Sequence, residues 1–404
     1  MKRLAIKFGG TSVGSIEKIK KVASIIKKRH SEGNEIIVIV SAMSGETNQL
    51  IQKSKLISKN FDNKELDVLL SSGEQVSSSL LSGAIIDLGL KARSWLGWQI
   101  PIITNDNHQS SQIMKIKTEE ITKFILDGGV AVVAGFQGIS LDDRVTTLGR
   151  GGSDLSAVAI AKFFKTDSCE IYTDVDGVLT TDPSINNKAK KIDKISYEEM
   201  LEMSSLGAKV MQPNAVQAAM IDDIPVHVRS TFLESLGTKI ISEGEIDFKK
   251  VITGIAYSKG NAKVSIVGVV DKPGVAADVF EPIGKNNINI DMVIQNTSLD
   301  GKNANITFTI KREDLNKTLS IIEQKKDKLN YNKITHDDKL AKVSIIGAGM
   351  ISESGVTHKM FRTLADEKIN ILAISTSEIK ISVLIREELT QKAVKALHKA
   401  FGLN

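Results

Sequence analysis

The first 240 or so residues alternate short, continuously apolar segments with segments whose apolar positions recur every three or four residues. The first pattern is typical of strands buried on both faces, and the second of amphipathic helices. Strands are predicted at Leu4–Phe8, Glu35–Val40, Val130–Ala134, Glu170–Thr173 and Pro225–Val228. Helices are predicted at Ile16–Arg29, Gln49–Ser58, around Glu74–Asp87, at Ser153–Phe164 and at Tyr197–Ser204. This alternation predicts an α/β fold, a parallel sheet sandwiched between helices.

The remainder of the chain contains an internal repeat. Lys263–Gly268 recurs as Lys342–Gly347, and Ile288–Ile290 recurs as Ile369–Ile371. Later strands are predicted at Asn305–Ile310 and Lys380–Ile385, and the polar run Glu323–His336 joins the copies. Each copy has the order strand, loop, helix, strand, strand, helix, which is typical of a ferredoxin-like α+β unit. Three domains are therefore predicted, at residues 1–245, 246–337 and 338–404.

Composition excludes several classes of function. The 404 residues contain 53 Lys and Arg against 48 Asp and Glu, only 4% aromatic residues and a single cysteine, Cys169. Basic residues alternate with acidic ones, and few aromatic residues are available for base stacking, so a nucleic-acid partner is not expected. One cysteine excludes an internal disulfide framework, and the six scattered histidines indicate no metal site. No signal peptide or membrane-length apolar run is visible, so a cytoplasmic enzyme is expected.

The segment Lys7–Gly14 follows the first strand and precedes a helix. Glycines let the backbone approach an anion, the helix start offers unpaired N–H groups, and Lys7 adds a positive charge. The segment therefore suits a phosphate group, although it is neither the usual P-loop nor the dinucleotide turn. A simple turn after a strand is the alternative interpretation.

Four further segments with polar or charged residues are predicted at the ends of strands or the starts of helices, where chemistry collects in such folds. They are Ser41–Asn48, Ser71–Gln75, Thr146–Asp154 and Thr173–Gly177. The second is expected to place Glu74 at or near a helix start, where it could merely complement the helix dipole. Asp174 and Asp176 could likewise be turn formers. The glycines around Arg150 are harder to explain structurally and suit an anion-binding nest.

Together these segments fit ATP-dependent phosphorylation of a small zwitterion. The two glycine loops and Lys7 would hold phosphates, Arg150 a substrate carboxylate, and Glu74 its ammonium group. A carboxylate nucleophile is already ionised at neutral pH and needs no base. It needs instead suppression of its repulsion from the γ-phosphate, which cations and helix N-termini supply.

The sequence resembles the aspartokinase family over nearly its whole length. The resemblance rests on the tandem repeat and on these segments: Lys7–Gly14, Ser41–Asn48, Gly73-Glu74, Gly135–Gly138, Thr146–Asp154, Asp174–Gly177 and Gly207–Val210. It implies an amino-acid-kinase fold followed by two ACT domains. It also implies conversion of ATP and L-aspartate to ADP and 4-phospho-L-aspartate, a product that leads to lysine, threonine and methionine, with Mg²⁺ carried by the nucleotide.

Carried over by position, the resemblance implies a role for each of several residues. Lys7 and Lys209 would contact the transferring phosphoryl group, and Asp154 would orient Lys7. The phosphates would be surrounded by Gly9, Gly10 and Ser41. Aspartate would be held by Thr47, Glu74 and Arg150, with Ser153 nearby. The nucleotide would be lined by Thr173, Asp174 and the segment up to Ser184, where the family often has Tyr in place of Leu179 and Arg in place of Ser184.

The repeats are expected to bind an effector. The loop formed by Asp271, Gly274, Val275 and Ala276 opens a helix whose N–H groups could receive an amino-acid carboxylate. The rest of the ligand could be read on and after the next strand, by Asn289, Asp291 and Gln295. The resemblance implies inhibition by lysine, threonine or both at ACT interfaces between subunits. The alternative is that these loops only build a dimer; a homo-oligomer of whole chains is expected in both cases.

Two other functions fit the sequence. One is a kinase of the same fold acting on glutamate or an N-acetylated acid, although an acylated amine offers Glu74 no charge to pair. The other is an amino-acid sensor that has lost turnover. Retention of Lys7, Glu74, Arg150, Asp154 and Lys209 argues against the sensor, while Leu179 and Ser184 leave room for it.

Overall fold

The computed structural model describes residues 2–208, 210–246, 250–297, 301–351 and 353–404. The chain divides into two compact units, one formed by residues 1–180 with 190–248 and the other by residues 181–189 with 249–404. Within the described ranges, no helix is long and apolar enough to cross a membrane. The predicted domain boundaries, after residues 245 and 337, remain a prediction. The second unit also includes a short segment, residues 181–189, that lies within the sequence of the first.

The first unit is built from short strands and longer helices in alternation. Its strands are β1 (Arg3–Phe8), β2 (Glu35–Val40), β3 (Ala92–Trp95), β4 (Ile102–Thr104), β5 (Ile113–Ile116), β6 (Val130–Ala134), β7 (Gln137–Ile139), β8 (Val145–Thr147), β9 (Ser168–Thr173), β10 (Lys194–Ser196), β11 (Val226–Ser230) and β12 (Thr238–Ile241). Its helices are α1 (Ile16–Ser31), α2 (Glu46–Ile57), α3 (Asn63–Asp87), α4 (Glu119–Leu126), α5 (Gly152–Phe163), α6 (Tyr197–Ser205) and α7 (Pro213–Ile221).

An eight-stranded sheet in the order β10-β12-β11-β9-β1-β2-β6-β3 forms the centre of the described first unit. Its neighbouring strands are parallel except for β11 with β12. On one face, α1 and α3 pack on alternate residues of β1 and β2, with Ile6, Phe8 and Val38 fully buried. On the other face, α5 contacts β1, β2 and β9. This arrangement confirms the predicted helix–sheet–helix sandwich and puts the carboxyl ends of β1, β2, β6 and β9 at one edge.

The predicted strands and helices of the first unit are all present, but one prediction about α3 was wrong. Glu74 lies in the middle of this 25-residue helix and not at its start. The run of serines resembles a helix break, yet Ser71 and Ser72 turn their hydroxyls back onto the carbonyls of Val68 and Leu69, at 2.9 and 2.7 Å. Such back-bonding lets serine remain inside a helix.

A second, four-stranded sheet in the order β5-β4-β7-β8 was not predicted from the sequence. Its strands have only three or four residues each, which is too short for a clear alternation of apolar and polar positions. The sheet matters for the site because β8 runs directly into the glycine-rich loop around Arg150.

The second unit consists of long antiparallel strands and short helices. Its strands are β13 (Gly254–Val270), β14 (Val293–Thr297), β15 (Asn303–Lys311), β16 (Lys333–Ile346), β17 (Ala373–Thr376) and β18 (Lys380–Arg386). Its helices are α8 (Val275–Lys285), α9 (Leu315–Glu323), α10 (Lys326–Leu329), α11 (Val356–Asp366) and α12 (Thr390–Ala400). One described sheet of six strands, in the order β14-β15-β13-β16-β18-β17, carries both repeats.

The two repeats are joined through β13 and β16, each of which serves both. The end of β13, from Lys263 to Val267, pairs with β15 and with residues 333–337 of β16. The start of β13, from Gly254 to Ser258, instead pairs with residues 342–346 of β16, beside β18. Each half of the sheet therefore has four strands in ferredoxin-like order, and the second repeat takes its edge strand from the residues that precede the first.

Candidate active site

Lys7 and Asp154 form an ion pair at the carboxyl edge of the central sheet. Lys7 lies in β1 and Asp154 in the first turn of α5, and the Lys7 Nζ is 2.6 Å from the Asp154 Oδ1. Both side chains are about nine-tenths buried. A buried ammonium group costs free energy unless it is paired, and the pair fixes its position. Lys7 therefore presents a positive charge at the start of the Gly9-Gly10 turn.

The turn after β1 is held close to the neighbouring loop. The Gly9 N–H donates to the Tyr172 carbonyl of β9 at 3.2 Å, and a side chain at Gly10 would put its Cβ 2.8 Å from the Ala42 carbonyl oxygen. The Ser12 hydroxyl hydrogen-bonds to that of Thr231 at 2.7 Å, and both residues are buried. Neither Ser12 nor Thr231 was predicted from the sequence to have a role. Their partnership joins positions 219 residues apart and leaves no local signal.

Ser41 and Ser153 connect the end of β2 to the start of α5. Their hydroxyl groups hydrogen-bond to each other at 2.7 Å. The Ser41 N–H donates to the Phe8 carbonyl, which continues the pairing of β1 with β2. Ser41 is thus one residue beyond β2, and Ser153 is the neighbour of Asp154. The structure therefore brings Lys7 and Ser41 together with Ser153 and Asp154, although more than a hundred residues of sequence separate the first two from the last two.

Glu74 approaches the same edge from α3. Its Oε1 accepts a hydrogen bond from the Ala42 N–H at 2.9 Å, while its buried Oε2 has no hydrogen-bond partner within the described residues. The helix comes this close because Gly73 has no side chain: a Cβ there would lie 2.8 Å from the Ala42 Cβ. The Ser77 hydroxyl adds a bond to the Ser41 carbonyl at 2.8 Å. One oxygen of Glu74 is thereby held in place and the other is left for a ligand.

Burial changes the acid–base behaviour of Glu74. The side chain is only 3% exposed, and removal from water raises the pKa of its carboxyl group from 4.5 to about 7. The hydrogen bond from the Ala42 N–H acts in the opposite direction but does not offset desolvation. A cationic ligand beside Oε2 would favour the ionised form. The site is therefore suited to a group that carries its own positive charge.

The loop between β8 and α5 presents Arg150 to solvent. Gly149 and Gly151 on either side of it adopt left-handed backbone conformations, with φ of +74° and +75°. The Arg150 side chain is exposed, and no ion pair or hydrogen bond involves its guanidinium in the part of the chain that is described. Its backbone carbonyl accepts from the Asn214 side chain at 3.4 Å. Arg150 is thus a free guanidinium group three residues before Ser153.

The remaining residues assigned to substrate and nucleotide are distributed more widely. Thr47 lies in the first turn of α2 and is half-buried. Thr173 ends β9 and its hydroxyl donates to the Asp174 carboxylate at 3.1 Å. Leu179 forms an isolated bridge with Lys191. Lys209 lies outside the described residues.

Ser184 belongs to the second unit. Its backbone N–H and hydroxyl both donate to one oxygen of Asp182, at 2.8 and 2.6 Å, and the other oxygen accepts from the Tyr257 hydroxyl at 2.9 Å. Nearby, Ile185 is part of the apolar core under the second repeat. The segment that follows Leu179 is therefore anchored in the repeat unit.

The residues proposed to bind an effector lie around α8 and β14. Gly274 precedes α8 with φ of +91°, followed by Val275, which is buried, and Ala276. The Asp271 N–H donates to the Lys302 carbonyl at 2.9 Å. The expectation that Asn289 and Asp291 lie on or after a strand was wrong: both precede β14, which contains Gln295.

Asp291 is already engaged within the second unit. Its carboxylate forms an ion pair with Lys342 of β16, a residue that is largely buried. Lys342 begins the second copy of the repeated segment, so the pair connects the two repeats. An effector that binds Asp291 would have to share or replace this partner.

Comparison with known proteins agrees with this picture. The model of the amino acid kinase family matches residues 2–230, and the ACT domain model matches residues 264–325 and 343–401. The chain is 47% identical over 399 residues to an aspartate kinase of Pseudomonas putida, covering 98% of this chain and 97% of the relative. Two solved structures are also similar.

The first of these, an aspartate kinase from Synechocystis, is 40% identical with a TM-score of 0.56, covering 99% of this chain and 69% of that chain. The second, Escherichia coli aspartokinase III in complex with aspartate and ADP, is 23% identical with a TM-score of 0.83 and full coverage of both chains; this likeness concerns the fold alone. An amino acid kinase domain and ACT repeats thus define the class. Within that class, the chain belongs to the aspartate kinases.

Proposed function

We propose that this chain transfers the γ-phosphoryl group of ATP to the β-carboxylate of L-aspartate, giving ADP and 4-phospho-L-aspartate. The observation that carries the proposal is the buried Glu74 carboxylate, with one oxygen unpartnered among the described residues, at the same sheet edge as the Lys7–Asp154 pair. A carboxylate oxygen that could receive an ammonium group, at the same sheet edge as a lysine that could contact a phosphate, suits an amino acid as the phosphoryl acceptor.

The acceptor would be bound by groups of opposite charge. Glu74 Oε2 would receive the α-ammonium group, and the free guanidinium of Arg150 would hold the α-carboxylate through its fork of donors. Thr47 and Ser153 would supply hydroxyl groups on either side. An N-acetylated acid has no ammonium charge to offset the buried carboxylate, which favours a free amino acid.

In the transfer step, an oxygen of the β-carboxylate would form a bond to the γ-phosphorus while the bond from phosphorus to the leaving oxygen of ADP breaks. Lys7 would neutralise charge on the transferring group, and Asp154 would hold the Lys7 ammonium in place. Gly9, Gly10 and Ser41 would surround the phosphates, a role that rests on the family resemblance, since the N–H groups of Gly9 and Ser41 already donate to the Tyr172 and Phe8 carbonyls. Lys209 would add a second cation, a role that rests on the family resemblance.

The nucleotide would bind along the loop that follows β9, at Thr173, Asp174 and Leu179, whereas the role of Ser184, which belongs to the second unit, is implied by the family resemblance alone. We take Mg²⁺ to arrive with ATP as part of the substrate, since this ion commonly binds through phosphate oxygens. The leucine and serine in place of the family's frequent Tyr and Arg remove an aromatic surface and a positive charge. We therefore expect this chain to bind ATP more weakly than relatives that have both the tyrosine and the arginine.

We also propose feedback inhibition of this cytoplasmic enzyme by lysine, threonine or both, at the repeat unit, with the product used for lysine, threonine and methionine. The loop from Asp271 to Ala276 would receive the effector's carboxylate, and Asn289, Asp291 and Gln295 the rest. Support comes from the start of α8, where no side chain caps the helix at Gly274. The exposed position of β14 at the edge of its sheet also supports it. Edge strands pair readily with another chain, which favours a homodimer or larger homo-oligomer through the repeats.

Hydroxylamine trapping tests the reaction. ATP, Mg²⁺ and hydroxylamine are incubated with the full chain and with L-aspartate, L-glutamate or N-acetyl-L-aspartate. We expect a hydroxamate with L-aspartate alone, and less of it when an inhibiting end product is added. A hydroxamate with the acetylated acid would refute the role given to Glu74. No hydroxamate from any acid, with folded protein, would favour the sensor.

A further inference from the structure

Helix α3 carries a second buried carboxylate, two turns before Glu74. Asp67 is completely buried, and seven residues place it on the same side of the helix as Glu74. No role for Asp67 was predicted from the sequence. Because a buried carboxylate is costly unless its oxygens are hydrogen-bonded, its partners show what holds it there.

Those partners come from two other segments of the first unit. The His108 Nδ1 lies 2.6 Å from the Asp67 Oδ2, and the Thr147 hydroxyl donates to Oδ1 at 2.5 Å. Gln109 donates to it twice, through its side-chain amide at 2.5 Å and its backbone N–H at 3.3 Å. Gln109 has a left-handed backbone with φ of +67°, which is uncommon for a residue other than glycine and is sustained by its surroundings.

Both segments lead to Arg150. Thr147 is the last residue of β8, three positions before the arginine, and its carbonyl accepts from the Ser111 N–H at 3.0 Å. The Gln109 carbonyl approaches the loop itself, since a Cβ at Gly149 would lie 2.7 Å from that oxygen. Through its hydrogen bonds, Asp67 therefore connects the helix that carries Glu74 to the end of β8 before Arg150 and to the segment that contains His108 and Gln109.

We propose that Asp67 is a positioning residue that holds the Arg150 loop at a fixed distance from Glu74. The inference rests on the proposed function, because it assigns these two residues to the carboxylate and the ammonium group of one substrate. Neither Asp67 nor its partners are among the residues assigned to the substrate. Loss of the network lets the loop move, so that the arginine and the glutamate no longer engage the same molecule together.

The experiment uses the full-length protein and a set of matched variants. Thr147→Val removes one donor to Asp67 with almost no change of shape, and Thr147→Ser restores the hydroxyl. Thr104→Val is the control, because the Thr104 hydroxyl is equally buried and bonds Thr146 at 2.7 Å without contacting Asp67. Asp67→Asn removes the charge. For each we would measure kcat, the KM for aspartate, the KM for ATP and the thermal unfolding midpoint.

We expect Thr147→Val to raise the KM for aspartate about tenfold, with the KM for ATP and kcat within about threefold of wild type. Thr147→Ser should restore the KM. Thr104→Val should lower the unfolding midpoint to a similar degree and leave the KM within about twofold. Asp67→Asn should have a larger effect on KM than Thr147→Val; if it does not fold, the threonine variants still decide the matter.

Equal effects of Thr147→Val and Thr104→Val on the KM for aspartate would overturn the inference. So would a lowered unfolding midpoint with unchanged KM, because the network would then only stabilise the fold. Wild type that makes no aspartyl product would overturn both the proposed function and this inference. An active wild type whose KM is insensitive to Thr147→Val and Asp67→Asn would overturn the inference alone.

Discussion

The two buried carboxylates of α3 have contrasting surroundings. Asp67 accepts from four donors of the protein itself, whereas Glu74 accepts from the Ala42 N–H and has its second oxygen unpartnered among the described residues. A carboxylate whose oxygens are all bonded stabilises one arrangement of the chain. One with an open oxygen is costly until a cation arrives. The comparison separates a structural carboxylate from one that is ready for a ligand.

The largest effect is expected from Glu74→Gln. The amide oxygen can still accept from Ala42, so the fold is retained, but the charge that receives the ammonium group is lost. We expect the KM for aspartate to rise about a hundredfold and the KM for ATP to change less than about twofold. Initial-rate kinetics with each substrate varied in turn measures both.

The matched control is Glu65→Gln on the same helix. Glu65 is exposed and pairs with Arg144 at 2.6 Å, and such surface pairs contribute little. We expect unchanged kinetics. If Glu65→Gln raised the KM for aspartate as much as Glu74→Gln does, the effect would come from removing any negative charge from α3. The distinction drawn between Asp67 and Glu74 would then be wrong.

Arg150→Ala is expected to have the next largest effect. Because the guanidinium is exposed and has no described partner, its removal should leave the stability unchanged and raise the KM for aspartate some tens of times more than the KM for ATP. Arg144→Ala serves as the control at a half-buried arginine that immediately precedes β8. Equal increases in the two KM values would contradict the role given to Arg150.

A smaller effect is expected from pH. With a pKa of about 7, Glu74 becomes protonated as the pH falls and can no longer pair with the ammonium group. The KM for aspartate should therefore be about tenfold higher at pH 6 than at pH 8, and Glu74→Gln should abolish this dependence. A wild-type KM for aspartate that stays constant between these pH values would contradict either the pKa of Glu74 or its role in binding the ammonium group.

The last effect concerns stability. Since the pKa of Glu74 is raised on folding, the native state binds more protons than the unfolded state between pH 4.5 and about 7, so the free energy of unfolding falls as the pH rises through this range. At pH 8, Glu74→Gln should be more stable than wild type by up to about 3 kcal/mol. Most of the gain should vanish near pH 5. Thermal unfolding at both pH values tests this, and a pH-independent difference would contradict it.

The sequence is most informative where function depends on short-range patterns. The buried strand Glu35–Val40 and the glycines around Arg150 are visible locally, and the predicted bounds of this one strand agree with the structure to the residue. The start of α3 was missed, although Asp62 caps it with two hydrogen bonds, because the serines that follow resemble a break. Helix propensity could not show that the missing side chain of Gly73 lets α3 pack closely against Ala42.

Asp67 illustrates what the sequence could not show. Its partners lie 41 to 80 residues away, in a loop and in a three-residue strand that were not predicted. A lone aspartate in a helical pattern is ordinarily a surface residue, so nothing in its neighbourhood indicates burial. Only the folded arrangement shows that it joins α3 to the loop of Arg150.

The central claim is that the side-chain carboxylate of aspartate attacks the γ-phosphorus. It can be tested with L-aspartate whose β-carboxylate is labelled with ¹⁸O. The protein is incubated with labelled aspartate, ATP and Mg²⁺, and hydroxylamine then cleaves the acyl phosphate at carbon, so the bridging oxygen leaves with the phosphate. We predict one ¹⁸O atom in the released inorganic phosphate, detected by mass spectrometry. Phosphate without the label would contradict the account.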